Sequence, residues 1–250
     1  ADDEIVEKTF LSLNWVVGES LNSKDMMGLE ILEHALLRTA AAPLRKVLID
    51  ARLGKDVDSN FEDDILQPYF SIVINNAEAD RAERFYTLVM DTLRKLADEG
   101  LDRTLMEASI NLLEFRLREA DFGSAPKGLI YGLRIMKTWL YDAEPETYLG
   151  YETDLKEIKA GLDNGYFEEL IRRLLLNNTH QTLLTLVPSR TMAAEREAEQ
   201  EKLLAEKKAA MSSAEIDSVI AATKALKERQ QSPKTEAALK TIPVLELSDI

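Results

Sequence analysis

The sequence predicts an α+β fold in which helices cover one face of a mostly antiparallel sheet, followed by a helical hairpin arm. Strand-like alternation at residues 9–17, two further strand-like runs at 69–75 and 180–187, and long blocks of helical periodicity between them support this fold class. A sheet backed by helices is the architecture that buries both kinds of element. A chain of 250 residues is long enough to bury such a core.

The first element is a strand over residues 9–17 (TFLSLNWVV). Its side chains alternate in character, which is typical of a half-buried strand. One face carries Leu11, Leu13, Trp15 and Val17, and the other carries Phe10, Ser12, Asn14 and Val16.

Two helices follow within residues 22–57 and are joined at residues 40–43. Ser23 is the expected N-cap of the first helix. Pro43 suits the first turn of the second helix because its φ is fixed, and Gly54 is expected at the C′ position after that helix. The first helix has helical spacing at Met27, Ile31, His34 and Leu37.

The remaining elements of the body are predicted from periodicity and from turn residues. The polar passage 56–64 is either a loop or an irregular edge strand. The second strand follows Pro68, and the third ends before Pro188. Helices are predicted at 79–97, 101–120, 124–141 with Ser124 as its cap, 152–160 and 166–176.

After Pro188 the sequence becomes almost purely helix-forming, with few large apolar residues. Two helices at 192–211 and 213–231 meet at Ser212, and Glu215 lies near the capping-box position. We expect them to form a helical hairpin that links to an extended segment. The predicted domains are a peptidase-like α+β body at 1–188, the hairpin linker at 189–232 and the extended linker at 233–250.

Composition argues against several classes of protein. A net charge of −14 disfavours nucleic-acid binding, and no apolar run approaches the ~20 residues of a membrane span. The acidic surface would attract basic peptides, although solubility alone also accounts for the charge. The absence of cysteine excludes disulfides and fits a reducing compartment, which we expect to be the cytoplasm. The start, ADDEIVEK, is not a signal peptide and suggests a piece of a longer protein.

The pentad EILEH at residues 30–34 is the one motif that suggests chemistry, since the sequence has no phosphate-binding glycine loop and no G-x-S-x-G elbow. In H-x-x-E-H zinc peptidases, two histidines one helical turn apart bind the metal and the glutamate activates water. Here Glu30 stands in place of the first histidine, before Glu33 and His34. A zinc site completed by Glu107 or Glu114 is chemically allowed, because carboxylates can bind zinc. A helix with a partly buried histidine is the preferred interpretation.

Four stretches occur in order along the chain: APLRKVLIDARLGKDV, YFSIVINN, ADFGSAPKGLIYGLRIMKTWLYDAEPETYL and NNTHQTLLTLVPS. Together they resemble the non-catalytic second domain of insulinase/pitrilysin-type zinc metallopeptidases, nearest the presequence-protease branch. The charged helical arm that ends in IPVLELSDI resembles the linker between the two halves of such enzymes. The resemblance therefore covers nearly the whole chain.

The resemblance implies a metallohydrolase-like fold and a chain that is catalytically inactive on its own. Such enzymes have four related domains, paired into two halves that close around a peptide-degrading chamber, with zinc held in the first domain. Glu30, Glu33 and His34 would then be relics of a metal site, with no cofactor in this part of the enzyme. The implied partners are the other domains of the same parent chain and a peptide substrate.

The resemblance also implies a substrate-holding edge strand, which in related members anchors the free end of the peptide. The corresponding residues are Gly54, Lys55, Asp56, Val57, Asp58 and Ser59. A strand that the family carries before residue 9 is missing, which predicts an exposed or self-paired sheet edge and self-association. Two alternatives remain: a stand-alone peptidase-like interaction scaffold, and an independent enzyme that uses E-x-x-E-H. An H-x-x-E-H motif upstream in the parent gene would favour the support role over the scaffold.

Overall fold

The structure is a computed structural model that describes residues 5–242. The chain divides into two units, Ala1–Pro188 and Ser189–Ile250. The described part of the first unit contains a four-stranded antiparallel sheet, so the predicted α+β class is confirmed. Its strands are β1 (Thr9–Val16), β2 (Asp56–Glu62), β3 (Tyr69–Ala77) and β4 (Gln181–Leu186), in the spatial order β2-β3-β1-β4. The polar passage that the sequence left open is thus the edge strand β2.

Alternation along the central strand β1 directs one face of the sheet toward the helices. Leu13 and Trp15 are buried and lie opposite Ile72 and Phe70 of β3. The indole Nε1 of Trp15 donates a hydrogen bond to the carbonyl oxygen of Leu175 at 3.0 Å, which ties the sheet to the helical layer. The intervening residues of β1 lie on the other, more exposed face.

The helices of the first unit pack on the inner face of the sheet and share one core with it. Two of them continue into π-helical turns: α1 (Ser23–Glu33) into His34–Arg38, and α7 (Tyr166–Ile171) into Arg172–Leu176. The others are α2 (Pro43–Asp50), α3 (Ala82–Glu99), α4 (Arg103–Glu119), α5 (Lys127–Trp139) and α6 (Tyr151–Gly161).

Two predicted helix caps are wrong. The N-cap of α1 is Asn22 rather than Ser23, because the Asn22 side chain accepts a hydrogen bond from the backbone N–H of Asp25. Helix α5 begins after Pro126 rather than at Ser124, because the extended ψ of 130° at Pro126 keeps the preceding chain out of the helix.

Gly54 has a packing role instead of the predicted role as a helix C′ residue. Helix α2 ends at Asp50 with Ala51 as its C-cap. A Cβ atom at Gly54 would lie 2.4 Å from the carbonyl oxygen of Asn75. Glycine therefore lets the chain that enters β2 approach the backbone of β3 closely.

The described part of the second unit consists of α8 (Met192–Ala209), α9 (Ser213–Gln231) and the short α10 (Glu236–Leu239). The predicted capping box is present, with reciprocal hydrogen bonds between Ser212 and Glu215. Apolar side chains such as Leu203 and Ile220 remain about 60% exposed. The prediction of an extended segment is wrong at α10, which is capped by the Thr235 side chain. Residues 243–250 of that segment lie outside the described part.

Candidate functional site

The EILEH pentad faces a cavity of about 680 Å³ that is lined by residues of α1, α4 and α5. Glu30 and His34 lie one turn apart on α1, as the spacing predicts, and both line the cavity. The Nη2 group of Arg116 on α4 donates a hydrogen bond to Oε1 of Glu30 at 2.9 Å. Burial raises the pKa of the Glu30 carboxyl, and the positive charge of Arg116 opposes this shift. A protein cation therefore already neutralises the residue that replaces the first histidine.

His34 is held by α4 as well. Its Nδ1 lies 2.8 Å from the hydroxyl oxygen of Ser109, and that hydroxyl donates its own proton to the carbonyl oxygen of Leu105 at 2.9 Å. Since the serine proton is engaged, Nδ1 of His34 is the donor in the shared bond. Burial, helped by the positive charge of Arg116, lowers the pKa of His34. The imidazole is therefore neutral at pH 7.

Glu33 occupies the position of the water-activating glutamate, but its carboxylate is engaged by other protein groups. Its Oε1 accepts hydrogen bonds from Nη2 of Arg38 at 2.7 Å and from the hydroxyl of Ser59 at 2.8 Å. The side chain is only 9% exposed. Glu33 thus joins α1 to β2, which is a structural role and not that of a base.

The donor set does not fit a zinc ion. Among residues 5–242, no three His, Cys, Asp or Glu side chains come close enough together to bind a metal. Glu107 pairs with Arg103, and Glu114 pairs with Arg118 and Lys159, so neither completes the pentad. The hypothesis of an independent E-x-x-E-H enzyme lacks its third ligand here.

The predicted substrate-holding residues lie at the start of edge strand β2. The backbone N–H of Val57 donates to Oδ1 of Asp56 at 2.8 Å, and its carbonyl oxygen accepts from the Arg45 guanidinium. Arg45 also donates to Asp56 at 2.8 Å. Both main-chain groups of Val57 therefore point away from β3, and by strand alternation those of Ser59 and Phe61 point the same way.

The other predicted residues contact neighbouring strands or loops. The backbone N–H of Lys55 donates to the carbonyl oxygen of Asn75 at 2.8 Å, and its ammonium lies 3.2 Å from the Glu7 carboxylate. The Asp58 carboxylate accepts from the side-chain amide of Asn75. A smaller cavity of about 330 Å³ lies beside the strand, lined by Leu37, Arg38, Ala40, Arg45, Val57, Asp58 and Ser59.

The structure joins two features that the sequence treated separately. Arg38 lines both cavities, and the Ser59–Glu33 hydrogen bond links the edge strand to the pentad helix. Near the end of β2, Phe61 and Asp63 line the larger cavity. The edge strand therefore runs from the smaller cavity to the larger one.

Sequence reasoning missed the basic residues of the larger cavity. Lys137 of α5 forms ion pairs with Asp63 and Asp64. Burial alone would lower the pKa of Lys137, but the two carboxylates outweigh it and raise the pKa. Arg134 lines the same wall. One signal was present in the sequence, because both residues interrupt the apolar pattern of α5.

Comparison with known proteins gives two family matches. Residues 1–113 match the family described as peptidase M16 inactive domain, and residues 186–250 match the family described as associated with peptidase M16, subfamily C. Among the described residues, none of the helices is long and apolar enough to cross a membrane.

Two curated relatives span essentially the whole chain. Protein HypA of Clostridium perfringens is 42% identical over 248 residues, which cover 99% of this chain and 26% of that protein. Presequence protease 1 of Arabidopsis thaliana, described as chloroplastic/mitochondrial, is 36% identical over 255 residues, which cover 100% of this chain and 24% of that protein. The chain thus spans about a quarter of the length of these relatives.

A solved structure supports the fold. The inactive peptidase domain of a candidate zinc protease from Bordetella parapertussis superposes with a TM-score of 0.58 at 12% identity. The match covers 73% of this chain and 91% of that domain.

Proposed function

Because the chain belongs to the peptidase M16 family, as an inactive domain followed by the segment associated with subfamily C, we propose that it holds peptide substrates for a zinc-dependent peptidase. In this role it forms part of the wall of the peptide-degrading chamber and the connection between the two halves of the parent enzyme. The engaged Glu33 and the Arg116–Glu30 pair fit a support role, since neither carboxylate is free to activate water.

The observation that carries the proposal is the outer edge of β2. This strand pairs with β3 on one side, and within the described sheet its other side has no partner strand. An extended peptide can add to such an edge through main-chain hydrogen bonds, which tolerate many side chains. The smaller cavity leaves room beside Val57 and Ser59 for the side chains of such a peptide.

Arg45 and Asp56 limit where the peptide pairs. They already satisfy the main-chain groups of Val57, so a peptide competes with them at that position. Ser59 and Phe61 offer the next outward N–H and C=O groups. The predicted site 54–59 is thereby extended toward the end of β2.

The wider role concerns the parent enzyme. We place its zinc in another domain, and its other domains are the partners of this chain. The lack of cysteine supports a reducing compartment, with the cytoplasm as our proposal. An H-x-x-E-H motif in the reading frame upstream of residue 1 is the expected finding, and a parent without one would refute the support role.

Peptide binding by this chain tests the edge directly. Ser59→Pro removes one outward N–H donor without removing a β2–β3 hydrogen bond, and Ser59→Ala removes only the hydroxyl. With a short fluorescent basic peptide, we expect Ser59→Pro to weaken binding about tenfold beyond Ser59→Ala.

A peptide with alternate N-methylated amides provides a second measurement on the unchanged protein. It should bind more weakly than its unmethylated parent, because N-methylation removes the donors that pair with a strand edge. Equal affinity for both peptides would refute edge pairing, whether or not Ser59→Pro folds.

A further inference from the structure

We propose that the larger cavity between α1, α4 and α5 receives the C-terminal carboxylate of the bound peptide, with Arg134 and Arg116 as its cationic partners. This inference rests on the proposed function, because it assigns an end point to the peptide on β2. It names a ligand group for a cavity that, among the described residues, has no metal-binding donor set.

The charges of the cavity leave one cation over. Its acidic residues Glu30, Glu33 and Asp63 are paired with Arg116, Arg38 and Lys137, respectively. The fourth acid, Asp154, accepts a hydrogen bond from the Ser23 hydroxyl at 2.5 Å. Among the described residues, the cavity therefore contains Arg134 as a basic residue beyond these ion pairs.

Arg134 is half-buried and is placed to meet an anion. Its guanidinium carbon lies 5.3 Å from the centre of the Phe122 ring, and within residues 5–242 it pairs with no carboxylate. Stacking on an aromatic ring leaves the in-plane N–H groups of a guanidinium free to donate. A carboxylate is the planar acceptor that matches this set of donors.

Arg116 can contribute to the same anion. Its side chain is 55% exposed, and its Nη2 group donates to Glu30. Within the described part of the chain, its other N–H groups donate to no side chain or carbonyl. A ligand carboxylate can thus share Arg116 with Glu30.

The apolar lining favours a peptide end over a free inorganic anion. Met27, Leu112 and Leu117 line the cavity together with the two arginines. A volume of about 680 Å³ lies within the range of pockets that bury small ligands. An apolar C-terminal residue would fill this space while its α-carboxylate meets the guanidinium groups.

Strand β2 leads into the cavity. Val57 and Ser59 line the smaller cavity, whereas Phe61 and Asp63 line the larger one. The seven residues of β2 extend over roughly 20 Å at about 3.3 Å per residue. A peptide that pairs with the outer edge and runs parallel to β2 therefore reaches the cavity with its C-terminal end.

The overall charge explains why the anion is a terminal one. A chain with a net charge of −14 repels acidic ligands and attracts basic ones. Even a basic peptide carries one carboxylate, at its C-terminus. Arg134 thus complements the single anionic group of a peptide that the surrounding field otherwise attracts.

Matched peptides test the proposal. Two fluorescent basic peptides of identical sequence with an apolar last residue, one with a free C-terminus and one amidated, are titrated with the full chain. We expect the free acid to bind about tenfold more tightly. Arg134→Met should abolish this preference, whereas Arg94→Met should keep it. Arg94 pairs with Asp91 on α3 and lies outside both cavities, so it is a control of equal charge change.

The outcomes separate this proposal from the one on which it rests. Equal binding of acid and amide to the unchanged chain would overturn the carboxylate site while leaving the edge strand as a peptide site. Binding of neither peptide would overturn both. Ser59→Pro should weaken the two peptides by the same factor, since it acts on the strand and not on the terminus.

Discussion

Replacing Gly28 of α1 by alanine tests the close packing that holds the pentad helix in place. A Cβ atom at Gly28 would lie 2.5 Å from the hydroxyl oxygen of Tyr166 and 3.0 Å from Cδ2 of Leu170. Tyr166 cannot retreat freely, because its ring packs edge-on against Phe167 with 5.1 Å between the ring centres. Its hydroxyl also donates to the carbonyl oxygen of Lys24 at 3.2 Å.

Two opposing contributions set the magnitude. Alanine in a helix interior is more favourable than glycine by about 1 kcal/mol. Overpacking a filled site costs about 1–3 kcal/mol. We therefore expect Gly28→Ala to lower the free energy of unfolding by about 1 kcal/mol, measured by urea denaturation with circular dichroism.

A double-mutant cycle identifies the clash as the cause. Tyr166→Phe removes the hydroxyl that the new methyl would meet, so Gly28→Ala should cost clearly less in that background, with a coupling energy of about 1 kcal/mol. Gly132→Ala on α5 is the matched control, since a Cβ there meets nothing within 4 Å and should stabilise the chain. A Gly28→Ala chain as stable as the Gly132→Ala chain would refute the packing argument.

Three further predictions concern charge and association. His34 has a lowered pKa in the folded chain, so the free energy of unfolding should fall as the pH drops below 6.5, and His34→Gln should flatten this dependence in urea titrations. Arg116→Met should raise the already elevated pKa of Glu30 further; because a raised carboxyl pKa costs stability only as the pH rises above 4.5, NMR titration should show the shift and urea denaturation should show the loss on that side. An unchanged Glu30 titration would contradict the pairing. The outer edge strand β4 exposes Leu184 and Leu186, so light scattering should detect self-association at high concentration, and Leu184→Lys should reduce it; a monomer at all concentrations would refute this expectation.

Local patterns predicted the elements of the fold well. Alternation identified β1 because side chains of a strand alternate between its two faces, whatever lies above them. The capping box at Ser212 was recognisable because its hydrogen bonds join residues three positions apart. The N-cap of α1 was misplaced by one residue, since Asn22 and Ser23 are both good caps and the side-chain geometry selects between them.

Long-range packing set what local patterns left open. The helical pattern of α5 was recognisable, but the structure leaves Leu129 and Leu133 each 56% exposed. The polar composition of residues 56–64 fits a loop as well as an edge strand, and pairing with β3 makes it a strand. Neither outcome follows from periodicity, because burial depends on which surfaces the fold brings together.

The order of amino acids alone specified the helical pentad and its missing first histidine. It also indicated the family, through stretches spread along nearly the whole chain. The packing of α4 against α1 determined the state of that pentad, since Arg116 reaches Glu30 across 86 residues of sequence. A guanidinium stands beside the carboxylate because two distant helices meet there, and contacts at such separation depend on the whole fold.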